Sequence, residues 1–176
     1  MEGKSPRRRS YLNDFQPTAG GEYVYTGALY GWAEPGQARR RALIRLWLGA
    51  ALPAMLIVAA GCIPVPGMQN CPYVLLPYAG ALVSQAAVLW LMCRLSYGGE
   101  RLRAYVYEAT VGRFRVRGGC ALGFAALTLL GHGVYLLRNG TEGHACAALL
   151  FWLLLGGCAA CQLWWLRTAC ALRWTK

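Results

Sequence analysis

Residues 145–166 read ACAALLFWLLLGGCAACQLWWL, twenty-two positions without a charge. An α-helix rises 1.5 Å per residue, so about 20 apolar residues cross the roughly 30 Å hydrocarbon layer of a bilayer. A helix of a soluble bundle would show a polar face every 3.6 residues; this stretch has none. Working outward, the same holds for Gly118–Leu137, for Tyr73–Cys93 and for Leu46–Ile63. The 176-residue chain agrees, with 57% hydrophobic and only 14% charged residues. Ordinary soluble domains carry about 25% charged residues. The mean hydropathy of +0.34 excludes disorder and a coiled coil. The expected fold class is an all-α integral membrane protein, four transmembrane helices in a small bundle. The spans fall at about 46–63, 73–95, 118–137 and 145–166.

Charge placement predicts the orientation. Seventeen of the eighteen Lys and Arg residues lie before the first run, between the second and third, or after the fourth; Arg138 is the exception. Cytoplasmic loops carry the excess of Lys and Arg. Residues 1–45, the Arg-rich loop 96–117 and the tail 167–176 are therefore expected in the cytoplasm. Aromatic residues fall at both ends of the runs, Trp47, Trp90 and Trp164 at one level and Tyr73, Tyr135 and Trp152 at the other, as interfacial belts require. The expected location is a bacterial cytoplasmic membrane. Ala59-Ala60-Gly61-Cys62 is similar to a lipoprotein cleavage site. However, 45 residues precede the run and position 59 is Ala rather than Leu, so cleavage is not expected. Asn139-Gly140-Thr141 fits a glycosylation acceptor, yet Asn-Gly is also a turn signal, and the turn is the favoured reading.

The connections 64–72 and 138–144 are too short to hold a domain. Residues 1–10 read as a basic tail. Tyr11–Trp32 is rich in aromatics and glycine, with strand-like composition at Glu22–Thr26. It would lie along the bilayer or pack under the bundle. Tyr105-Val106-Tyr107 echoes Tyr23-Val24-Tyr25. A ladder between them is one explanation and coincidence is the favoured one; Gly99–Gly112 is otherwise open to reading as a short interfacial helix. Arg113, Arg115 and Arg117 alternate with apolar residues at the membrane edge, where anionic headgroups or a partner would meet them. Each basic residue near an anionic leaflet contributes about 1 kcal/mol, which accounts for the basic clusters without nucleic acid. No nucleic-acid-binding motif is present.

Within the runs there is no Asp, Glu, Lys or Arg, which weighs against a proton- or ion-coupled transporter. Gln85 and Gln162 are the polar residues expected to hydrogen-bond between helices. Gly119-x-x-x-Gly123, Gly80-x-x-x-Ser84, Ala50-x-x-x-Ala54 and Gly156-x-x-x-Ala160 allow close backbone approach, and are read as packing the four helices together. His132 alone has no metal-ligand pattern around it. Of eight cysteines, Cys62 and Cys71 could close a disulfide across the Pro-rich turn. A four-span thiol–disulfide oxidoreductase would need two outward cysteine pairs; the one C-x-x-C here, Cys158–Cys161, sits mid-span among apolar residues, where a thiol is inert. No phosphate-binding loop, zinc-protease or nucleophile-elbow motif occurs, and no cofactor is implied. The leading expectation is a non-enzymatic subunit or scaffold of a membrane complex, with a membrane-protein partner or a second copy. A small pore or transporter for an uncharged solute, and the thiol oxidoreductase, are the alternatives.

Overall fold

The fold is described from a computed structural model covering residues 14–17, 21–33, 36–141 and 143–175. The expected basic tail, residues 1–10, lies outside the described residues. Four long helices carry the structure: α1 Gln37–Gly61, α2 Pro72–Tyr97, α4 Phe114–Asn139 and α5 Ala145–Cys170. Each has 25 or 26 residues, about 38 Å at 1.5 Å per residue. All four are long and apolar enough to cross a membrane. They outrun the apolar stretches, chiefly at one end. α1 begins at Gln37, before Arg39, Arg40 and Arg41, because Gln, Ala and Arg are good helix formers whatever their polarity.

The helices form a ring in which α1 packs on α2 and α5, and α4 packs on the same two. The interior has two clusters. One, near the start of α1, holds Leu46, Leu91, Met92, Leu95, Phe114 and Trp165, with the Phe114 and Trp165 rings edge to face at 5.4 Å. The other holds Ile57, Tyr78, Phe151, Leu155 and Cys158. Only 22–33% of residues in the apolar windows are buried inside the protein. Met55, Leu76, Val83 and Trp90 are 66–69% exposed. An apolar surface of that extent would be costly in water; it matches a hydrocarbon surround.

Two prolines interrupt the helices, Pro53 in α1 and Pro77 in α2. Pro77 has no N–H for the Tyr73 carbonyl four residues back. Gly131 of α4 sits against that carbonyl: a Cβ there would lie 2.6 Å from the oxygen. The missing side chain lets α4 close on the point where α2 is opened.

The all-α expectation describes the bundle but not one end of it, where five short strands occur among the described residues. β1 Phe15–Pro17 and β2 Tyr23–Tyr25 pair antiparallel. β3 Leu29–Trp32 is the centre of a second sheet, flanked by β4 Arg101–Arg103 and β5 Trp174–Thr175. Leu29 faces Arg103, and Trp32 faces Trp174. The short helix α3, Ala104–Thr110, follows β4 and leads through a 3₁₀ turn into α4. Tyr23-Val24-Tyr25 thus pairs with Phe15–Pro17, while its echo at Tyr105–Tyr107 is helical; the Tyr25 and Tyr105 rings meet edge to face at 6.3 Å. At the opposite end α4 stops at Asn139, and Gly140 takes φ 74°, a left-handed turn that glycine adopts freely.

Candidate interaction faces

The sheet end gathers three parts of the chain that are distant in sequence. Tyr30 stacks on Tyr107 with centroids 4.2 Å apart and planes 9° from parallel. Tyr107 meets Trp174 edge-on at 5.4 Å, and Trp174 leans on Trp32 at 4.6 Å. Such pairs add about 0.5–1.5 kcal/mol each beyond area burial. The Arg39 guanidinium lies 5.9 Å from the Trp32 ring centroid, donates from Nη2 to the Gly99 carbonyl at 2.6 Å, and has its Nη1 3.7 Å from a Glu100 carboxylate oxygen. Arg103 reaches over Phe15 and Tyr25 at 5.7 and 5.4 Å. The Tyr25 hydroxyl accepts from the Ala104 N–H at 3.1 Å and donates to the Ala28 carbonyl at 3.2 Å. Aromatic packing and strand pairing therefore tie residues 15–17 and 23–32, the middle loop and residues 174–175 into one cap. Among the described residues, twelve of thirteen arginines belong to this end of the bundle and Arg138 to the other.

The residues singled out from the sequence are distributed as follows. Gln85 is 2% exposed and donates from Nε2 to the Ala50 carbonyl at 2.7 Å, linking α2 to α1. Gln162 is equally buried, beside Gly118 and Trp165, but neither Nε2 nor Oε1 has a hydrogen-bond partner. Gln85 and Gln162 are not joined to one another. Arg113 and Arg115 are exposed. Arg117 turns inward and donates to the Ala87 carbonyl at 3.2 Å. Cys62, exposed, caps α1, and Cys71, half-buried, precedes α2; both are free thiols. His132 is fully buried and its Nδ1 accepts from the Trp152 indole N–H at 2.8 Å.

The small-residue motifs divide into two kinds. Gly80 packs on the Phe124 ring, where a Cβ would come within 2.8 Å, and Ala50 is fully buried. These pack the bundle as expected. Gly119, Gly123 and Gly156 have nothing within 4 Å of where a Cβ would stand, and Ala160 is exposed. The expectation that all four motifs hold the bundle together is therefore corrected for two of them. Those helices are apolar all round, so their sequence carries no amphipathic phase to tell an inward stripe from an outward one.

Sequence reasoning missed the strands at Leu29–Trp32 and Trp174–Thr175, and with them Arg39 and Arg173. The only available signal was a β-compatible Leu-Tyr-Gly-Trp after Gly27, too short to assign. No family model, no curated protein and no solved structure matches this chain.

Proposed function

We propose that this chain is a non-enzymatic subunit or scaffold of a membrane complex. Its four helices cross the membrane, with the sheet end in the cytoplasm of a bacterial cell. The observation that carries the reading is the pair of outward small-residue faces, Gly119/Gly123 on α4 and Gly156/Ala160 on α5, which have no helix of the described residues against them. Small residues four apart let a second helix approach closely enough for extensive van der Waals contact, the main source of helix association in lipid. The arginine-rich end favours the cytoplasmic side. The packed interior, with Phe151, Leu155 and Trp165 fully buried, supports a structural role over a conduit.

The test is purification of the full chain at native abundance in a mild detergent, with an affinity tag on a flexible linker after residue 176. A stoichiometric membrane protein, or a second copy of this chain, is expected to accompany it. A single monodisperse copy would sink the proposal and turn attention to solute flux and thiol exchange in liposomes.

A further inference from the structure

The two outward small-residue faces end alike. On α4, Arg115, Gly119 and Gly123 follow one another four residues apart, which places them in one row along the helix. On α5, Gly156, Ala160 and Arg167 are spaced by four and seven residues, again on one side of the helix. α4 leaves the sheet end and α5 returns to it. Both rows therefore run from small residues in the apolar belt to a guanidinium at the sheet end. Along the helix axis Arg115 stands about 6 Å beyond Gly119, and Arg167 about 10 Å beyond Ala160. Both arginines are exposed, and among the described residues neither forms an ion pair.

This arrangement selects between the two occupants that the subunit reading allows, a different membrane protein and a second copy. Copies of one chain enter a membrane in the same sense, because the same charge bias orients each of them. Pairing α4 with α4, α5 with α5 or α4 with α5 would each set arginine level with arginine. Neither helix carries an Asp or Glu to relieve the contact. Like charges brought together in an interface oppose association, and opposite charges favour it. We infer that the rows receive a helix of a different membrane protein. It would lay small residues along Gly119/Gly123 or Gly156/Ala160 and set an Asp or Glu level with Arg115 or Arg167. Van der Waals contact along the small residues supplies the attraction, and charge supplies the choice of partner. The inference rests on the subunit reading and specifies its partner.

The full chain serves as its own probe. Donor and acceptor fluorescent proteins are joined by a flexible linker after residue 176, and pairs of copies are co-expressed at low level in a heterologous bacterial membrane. Insertion there gives every copy one orientation, and energy transfer reports pairing. Parent copies are expected not to pair with each other. Copies carrying Arg115→Glu and Arg167→Glu are expected to pair with parent copies at least about fivefold more strongly than parent with parent, and not with themselves. A neutral version, Arg115→Gln with Arg167→Gln, is expected to pair with itself, and keeps the test open if charge reversal disturbs insertion. Gly123→Leu with Gly156→Leu should remove all of this pairing. Parent copies that pair with each other through the glycines would make a second copy the occupant and overturn the inference, while leaving the subunit reading intact. Equal transfer in every combination, no transfer in any, or pairing that survives both leucines would overturn it as well. The subunit reading fails separately, on a single copy in the native purification.

Discussion

Gln85 and Gln162 are the same residue type, equally buried, with opposite energetic standing. Gln85 has its amide on the Ala50 carbonyl at 2.7 Å, a bond between helices that contributes about 0.6–2 kcal/mol in a membrane protein. Gln162 has desolvated both polar atoms with no protein partner, and an unmet buried group costs about 1–3 kcal/mol. Replacing each by leucine should therefore separate them. Gln85→Leu is expected to lower the unfolding free energy by about 1 kcal/mol, and Gln162→Leu to leave it unchanged or raise it. Unfolding in mixed micelles, followed by tryptophan fluorescence, reads both. A loss at Gln162 as large as at Gln85 would mean that an internal water completes its bonding. The sequence located both side chains inside the bundle by their polarity alone. It could not say which had a partner, since that depends on which carbonyl of a neighbouring helix comes level with the amide.

Gly131 and Gly123 show the same contrast for whole helix faces of α4. Gly131 lies on the backbone of α2, with the Tyr73 oxygen 2.6 Å from a would-be Cβ; backbone cannot swing aside as a side chain can. Gly131→Ala should destabilise the monomer by about 1–3 kcal/mol. Gly123→Leu should leave monomer stability within about 0.5 kcal/mol of the parent but reduce recovery of the partner or second copy. Measuring unfolding and co-purification on both variants decides it. If Gly123→Leu retains its partner fully, the α4 face is ordinary lipid-facing surface. The helices themselves were legible because uninterrupted apolar runs of 18 or more residues have few other readings. Their sheet-end limits were not, since Arg39–Arg41 interrupts hydropathy without interrupting helix. The strands were illegible for another reason. Two to four residues carry too little alternation, and the pairing that stabilises them joins Gly31 to Thr175, across nearly the whole chain.

At the scale of the molecule, the one-sided arginine distribution makes a claim about sidedness that thiols can read. Cys62 is exposed at the far end of α1, and Cys170 is exposed at the sheet end of α5. In versions keeping one cysteine each, a membrane-impermeant maleimide added to intact spheroplasts should label Cys62 and spare Cys170. Inverted vesicles should give the reverse. Labelling of Cys170 from outside would place the sheet end outside and remove the positive-inside basis of the proposed orientation.

The cap also has a timetable. The Thr175 hydroxyl reaches back to the Gly31 carbonyl at 3.4 Å, a separation of 144 residues. Residues 29–32 emerge from the ribosome early and wait for both of their neighbours. Residues 101–103 arrive after two of the four long helices; residues 174–175 arrive after all four. The β5 strand is therefore the last part of the sheet to become available. A nascent chain halted anywhere short of residue 174 presents Trp32 without the Trp174 ring against it.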